Sequence, residues 1–305
     1  MQYCSIFVIM RQPFLILILL LFFLSMKGQD DLLSLLDDQK ETSVVNYAFK
    51  TNRIINMHSI ENTHRGVLDF KVSHRFGFLN SGIDNFFGLD QSSIRLGLEY
   101  GLSDRLMFGL GRSSFRKTID GFFKYKLVRQ RTGTKKFPIS LSLFHSTAIE
   151  TIEFANQDRE NFFSSRLFYT WQLLIARKFS DRLSFQMNPG FVHRNLVQTK
   201  EEKNDVLFLG LGSRFKLNNR ISLNAEYILA DRSGLREEFT NSVAIGFDIE
   251  TGGHVFQLHL TNSTAMIEKG FITENTGRFL EGDIHFGFNI SRVFTLSKPK
   301  EFQKN

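Results

Sequence analysis

Cysteine is almost missing from this chain of 305 residues: the single one, Cys4, stands within the first few positions. Removal of that segment leaves no thiol, which excludes a disulfide framework, a thiolate metal site and a cysteine nucleophile. Proline is nearly as scarce, with 4 residues. Because proline cannot donate to a ladder, its scarcity agrees with long, uninterrupted strands. The formal net charge is +7, but no block of like charges stands out, so no nucleic-acid partner is expected. Long apolar runs are missing too, except near the start. There Pro13–Leu24 spans roughly a dozen residues, short of the ~20 that a helix needs to cross a bilayer.

That run has Arg11 before it and Ser25-Met26-Lys27-Gly28 after it, which predicts a secretory signal peptide over 1–28, with Met10 as an alternative start. Cys4 precedes the apolar run, where a lipidated cysteine would not sit. Residues 29–65 are expected to form a periplasmic or lumen-entering N-terminal segment. Its first part, to about Glu41, is acidic with Leu32, Leu33, Leu35 and Leu36, and is either a short amphipathic helix or unstructured. Val44–Glu61 is mixed in polarity, without a clean face.

What the chain has in quantity is phenylalanine, 34 residues, in a sequence that is polar on average. The aromatic residues sit in alternation. In Ser92–Arg112, Ile94, Leu96, Leu98 and Tyr100 share one face while Arg95, Gly97 and Glu99 share the other. After Ser103-Asp104, Leu106, Phe108 and Leu110 align again. A period of two on either side of a small polar turn is an antiparallel hairpin. Its apex, Leu102-Ser-Asp-Arg-Leu-Met-Phe108, returns as Phe179-Ser-Asp-Arg-Leu-Ser-Phe185 and Leu217-Asn-Asn-Arg-Ile-Ser-Leu223.

Further alternating runs occur at 67–76, 121–129, 139–149, 165–178, from 183, at 205–216, from 221, from 243, at 254–263 and at 283–296. With the hairpin this gives twelve strands, an even number, joined by short turns that alternate with longer loops. The pattern predicts an all-β, closed, antiparallel up-and-down transmembrane β-barrel over 66–297, followed by a periplasmic tail at 298–305. A soluble sandwich has the same period. Three features favour the barrel: the regular asymmetry of loop lengths, the large uniform apolar faces, and opposite faces carrying charges that need water or each other. The outward aromatic residues, such as Tyr100, Phe123, Tyr169 and Trp171, then read as lipid-facing wall and interfacial girdle. The short turns Ser103-Asp104, Ser180-Asp181 and Asn218-Asn219 are assigned to the periplasmic rim.

The segments Arg53–Glu61, Gly66–Gly77, Asn85–Asp90, Ser92–Arg112, Asp120–Leu127 and Phe288–Leu296 resemble an uncharacterised outer-membrane β-barrel family of Bacteroidota, a domain of unknown function. The resemblance covers nearly all of the chain after the leader. It implies a barrel in the bacterial outer membrane surrounded by its lipid, and supplies no substrate, cofactor or catalytic residue. Met57 departs from it, standing where a small residue is expected.

Candidate functional residues are the charges predicted to line the lumen: Asp69, Lys71, Arg75, Arg95, Glu99, Lys124, Lys126, Arg166, Arg214, Glu226, Asp248 and Glu250. They form either an ion-pair network that fills the barrel or the wall of a narrow pore. His58 and Glu61 are candidate plug residues. The eight histidines are scattered, and His254 and His259 do not share a strand face, so no metal or cofactor site is expected. A Ser–His hydrolase has its nearest approach in His145-Ser146 and Ser164-Ser165, without a Gly-x-Ser-x-Gly motif. Phe86-Phe87-Gly88-Leu89 is apolar for an external loop, and either folds into the barrel mouth or contacts a partner. The expected function is a narrow channel or transport-associated barrel for small polar solutes, not an enzyme. The alternatives are a plugged accessory barrel that docks a periplasmic or surface protein through loops such as 195–204 and 264–281, and an outer-membrane hydrolase.

Overall fold

The alternating runs become twelve antiparallel strands hydrogen-bonded in a ring. They are β1 (Val67–Phe78), β2 (Ser92–Gly101), β3 (Leu106–Ser113), β4 (Thr118–Val128), β5 (Ser140–Glu150), β6 (Leu167–Lys178), β7 (Leu183–Arg194), β8 (Asp205–Lys216), β9 (Ile221–Ala230), β10 (Val243–Thr251), β11 (His254–Thr261) and β12 (His285–Thr295). This computed structural model describes residues 42–154, 157, 158, 160–252 and 254–297. The expected leader, the acidic segment to Glu41, Gly253 of the Gly-Gly turn and the charged tail lie outside them. Each strand pairs with its sequence neighbours, and β12 pairs with β1 to close the ring, leaving no free edge.

Register follows from the faces. In β1 and β2, Val72 opposes Leu96 and Ser73 opposes Arg95. A slip of one residue would turn the charges of the slipped strand toward lipid. The recurrent apex has a physical cause. Ser103 Oγ accepts from the backbone N–H of Arg105 (3.3 Å) and Leu106 (3.0 Å). Ser180 does the same for Arg182 and Leu183 at 3.3 and 3.1 Å. Asn218 Oδ1 caps Arg220 and Ile221 at 2.8 and 2.9 Å. A short side chain with an acceptor oxygen is the requirement, and Ser and Asn both meet it.

The outside of the ring is apolar. Leu110 and Leu207 are 62% and 63% exposed, and they belong to bands that continue through Leu96, Leu98, Leu229 and Leu258. A continuous apolar surface of this kind is stable in lipid, not in water. The inside is not polar throughout. Phe122, Phe144, Leu174, Val192, Phe208 and Ile228 point inward and are buried. Their partners are Phe49, Ile54, Met57 and Ile60 from the segment before β1, with Phe271 and Ile272 from the long loop before β12. That loop, expected to lie outside, contains a short helix, α1 (Glu268–Thr273), all of whose residues are buried. The loop at Phe86-Phe87 does not fill the mouth: these residues are 58% and 51% exposed.

Close approach of the inner segment to the wall requires glycine. A Cβ at Gly210 would collide with Met57 Sδ, and one at Gly212 with Ile54 Cδ1. The size of Met57 is thus accommodated by bare wall in β8. Met57→Ala is expected to cost about 2–5 kcal/mol through the cavity it leaves. The same change is expected to cost clearly less in a Gly210→Val background, where the large thioether clashes. The loss of heat-modifiable gel mobility with temperature measures both, and an equal cost in the two backgrounds would show that these residues do not meet.

Candidate functional site

The candidate site is the interior of the ring, which is filled. Residues 52–59 form a small hairpin inside the ring. Arg53 and His58 bridge as an antiparallel pair, Ile54 N–H donates to Met57 O (2.8 Å) and Ser59 N–H to Asn52 O (3.0 Å). Its tip, Ile55-Asn56, has no further chain to pair with. A buried, irregular backbone must find side-chain partners. Glu226 of β9 supplies them at the tip: its carboxylate accepts from the N–H groups of Ile55 (3.1 Å), Asn56 (2.8 Å) and Met57 (3.1 Å). Lys124 of β4 does the converse, donating to the carbonyls of Ser59 (2.8 Å), Glu61 and Asn52 (3.5 Å).

Amides complete the cradle. Gln186 accepts from Ile60 N–H and donates to His58 O, both at 2.7 Å. Gln257 donates to Ile54 O at 2.5 Å and Asn289 to Ile55 O at 3.2 Å. Arg75 donates to Asn56 Oδ1 at 2.7 Å, and Arg214 to Ala48 O at 3.3 Å. The partners come from β1, β4, β7, β8, β9, β11 and β12, so the hairpin is held from most of the circumference.

Beside it lies a charged cluster. Lys71 sits 3.2 Å from Glu99 and 3.6 Å from Asp69. Arg95 grips Asp120 through two parallel hydrogen bonds, at 2.9 and 2.5 Å. Arg53 lies 3.8 Å from Glu99 and 3.9 Å from Glu268 of α1. The His58 ring packs between Phe122 and Phe144, centroids 4.4 and 4.3 Å away, with Nε2 3.7 Å from Glu268. The segment inserted from the short-turn end and the helix inserted from the long-loop end therefore meet at Arg53, His58 and Glu268. Lys269 anchors α1 to Glu150 and to Glu274 (2.9 Å). Beyond α1, a cavity of about 310 Å³ opens at the long-loop mouth, where Arg116 pairs with Glu150 (3.3 Å) and Arg194 with Glu202 (2.9 Å).

Of the expected lumen charges, Asp69, Lys71, Arg75, Arg95, Glu99, Lys124, Arg214, Glu226 and Asp248 are buried inside the ring. Lys126 and Glu250 stand toward the short-turn end, facing Glu61 (3.9 Å) and Lys50. Arg166 lines the cavity at the long-loop mouth. It lies in the turn before β6, at the long-loop end, where it donates to Glu150 O (3.0 Å) and stacks over Phe154 at 4.0 Å. The ladder starts at Leu167, one residue later than this side chain, which still shares the mouth cavity with Phe168 and Arg194. Of the expected plug pair, His58 is in the centre, whereas Glu61 sits nearer the rim and accepts from Ala48 N–H at 2.8 Å. His145 and Ser146 occupy opposite faces of β5: His145 packs on Trp171 outside (4.1 Å), and Ser146 points inward.

Sequence reasoning passes over Arg53, Asp120, Gln186, Gln257, Glu268 and Lys269. Asp120 was within reach, since it shares parity with Phe122 and Lys124 on β4, which begins at Thr118 and not at Gly121. Outside the strands, burial raises the Tyr47 hydroxyl pKa, and the nearby Glu61 carboxylate pushes the same way. Asp231 and Asp283, in the long loops, are held below the ordinary carboxylate range by the backbone N–H of Ser233 and of Arg278. These loop ties contribute fully above the free-aspartate pKa of about 3.9 and are lost as pH falls through the lower pKa each carboxyl has in the folded chain.

A family model described as a membrane-bound beta-barrel domain, DUF5777, matches residues 49–294, and so takes in the inner hairpin. No curated protein matches the chain. Among solved structures it is similar to the NanC porin (TM-score 0.47, 8% identity, 75% of this chain and 98% of that one). It is similar also to the KdgM porin (0.45, 8%, 75% and 99%) and to the CymD monoaromatic hydrocarbon channel (0.36, 9%, 77% and 90%). At these identities the likeness is one of fold.

The cradle sets a test. Glu226→Ala strands three buried N–H donors and is expected to cost about 3 kcal/mol or more. Glu226→Gln keeps an acceptor oxygen and is expected to cost less than half as much. Urea midpoints of the folded, heat-modifiable form measure both; equal and negligible effects would show that the tip is not held there.

Proposed function

The chain belongs to the membrane-bound β-barrel domain family DUF5777, and from that premise we propose that it is a gated narrow channel for small polar solutes in the outer membrane of a Bacteroidota cell, made with a secretory leader over 1–28 and passive rather than catalytic. The observation that carries this reading is the topology of the inner hairpin. Both of its ends leave at the same rim. On one side, Val45 N–H donates to Gln130 O at 3.0 Å; on the other, Gly66 N–H donates to Gly101 O at 2.8 Å. The segment between can therefore withdraw as a unit without threading the barrel. Its polar contacts are mostly to wall side chains, which water can replace once it leaves.

The charges left behind are mixed in sign: Lys71, Arg75, Arg95 and Lys124 face Asp69, Glu99, Asp120, Glu226 and Asp248. The outer vestibule has paired charges too. A solute would meet a polar wall without a strong excess of one sign, which suits small polar molecules more than one class of ion.

The filling of the lumen from both ends also favours the second reading, a permanently plugged accessory barrel that docks a protein at its rim or loops. Single-channel recording of the purified chain separates the two. Wild type is expected to be mostly closed, and Glu226→Ala to raise open probability at least tenfold. If Glu226→Ala and a variant lacking residues 47–61 both stay silent, while heat-modifiable mobility shows folded barrels, the channel reading fails and the accessory reading stands.

A further inference from the structure

A second feature lies on the short-turn rim, away from the filled lumen. A cavity of about 380 Å³ sits between the β2–β3 turn and the longer β4–β5 turn. Six cationic residues line it, Arg105, Lys126, Arg129, Arg131, Lys135 and Lys136, and no acidic residue does. Its remaining lining is apolar: Leu127, Val128 and Phe137. Leu127 is on the outward face of β4, in line with Phe123 and Tyr125, so the cavity is continuous with the wall that meets lipid.

Acidic residues stand beside two of these cations. Lys126 faces Glu61 at 3.9 Å. Arg129 donates to the backbone carbonyl of Asp104 at 2.9 Å, beside that residue's carboxylate. Among the described residues, Arg105, Arg131 and Lys136 have no carboxylate within 4.0 Å. The turn that presents them is built rather than loose. Arg131 and Phe137 exchange backbone hydrogen bonds at 2.9 and 3.1 Å, and Gly133 supplies a φ of +90° for the reversal. Ser43–Val44 pairs along the free edge of Arg131–Thr132, so the turn is held from both sides.

Cations held around a cavity whose floor is lipid-facing hydrocarbon match one ligand chemistry, a phosphate carried on an acyl chain. We propose that this cavity binds the headgroup of an anionic glycerophospholipid of the adjacent leaflet, with an acyl chain running down the wall along Leu127 and Tyr125. The site differs from the rim arginines at the other two short apices, Arg182 and Arg220, which do not line this cavity. It does not depend on whether the barrel conducts.

The full chain is incorporated into nanodiscs of phosphatidylcholine containing a small fraction of cardiolipin or phosphatidylglycerol, and lipid retained after mild delipidation is counted by native mass spectrometry. The wild type is expected to retain anionic lipid selectively. The variant R105A/R131A/K136A is expected to bind it about a hundredfold more weakly, at about tenfold or less per cation removed. Arg182→Ala with Arg220→Ala is expected to leave retention unchanged, and the charge-keeping variant R105K/R131K/K136R to retain most of it, provided that each shows wild-type heat-modifiable mobility. Two results would overturn the proposal: equal losses in the two alanine variants, or displacement of the lipid by millimolar inorganic phosphate, which would assign the cavity to a free anion.

Discussion

Every buried N–H and C=O in this molecule needs a partner, and the inner hairpin is where that constraint bites. A β-barrel wall satisfies its own backbone through the ring of ladders. A segment laid inside the ring has no ladder to join, so the wall must meet it with side chains. Glu226 receives three N–H groups at the tip, Lys124 gives to three carbonyls at the base, and Gln186 serves both needs at once. Without the hairpin, Glu226 and Lys124 would be charges facing a lumen with Phe122, Phe144 and Leu174 beside them. Without those wall groups, the hairpin would carry unpaired backbone into a dry interior. Each accounts for the other.

The same dependence explains why the interior is divided. On one side of the lumen, β1, β2 and β11 present Lys71, Arg95, Glu99 and Gln257; on the other, β4 to β9 mix Phe122, Phe144, Leu174 and Phe208 with Asp120, Lys124, Arg214 and Glu226. The hairpin matches both, with Arg53 and Asn52 toward Glu99 on the first side and Ile54, Met57 and Ile60 packed among the apolar side chains of the second. Helix α1 closes the far end, and Glu268 faces Arg53 and His58 across the junction. Filling from two directions makes the resting interior a packed core and gives any opening motion two parts that can move separately.

The wall was legible in the sequence because a period of two leaves a residue only two directions, and the apex motif fixes where the direction reverses. Parity alone put Arg95, Glu99, Lys124 and Glu226 inside. It cannot say which inward residues meet water and which meet protein. Nothing in Val44–Glu61 marks a hairpin: its Arg53–His58 pair has no period, and its stability comes from side chains far away in sequence. For the same reason the loop 264–281 looked external. Lys269 and Glu268 are ordinary surface residues by type, and their burial depends on partners that include Glu150, Arg53 and His58, all distant in sequence.

The claim on which the account rests is that residues 52–59 occupy the lumen in the resting protein. Cysteine accessibility measures it directly. In a Cys4→Ser background, Ser59→Cys places a thiol at a fully buried position and Val44→Cys places one at an exposed position. The barrel is held in native outer-membrane vesicles made permeable to a charged maleimide on both faces. The Val44→Cys variant is predicted to label fast, and the Ser59→Cys variant at least a hundredfold more slowly. Adding Glu226→Ala to Ser59→Cys is predicted to bring its rate close to that of Val44→Cys. Equal rates for the two cysteine variants without that addition would contradict the filled lumen.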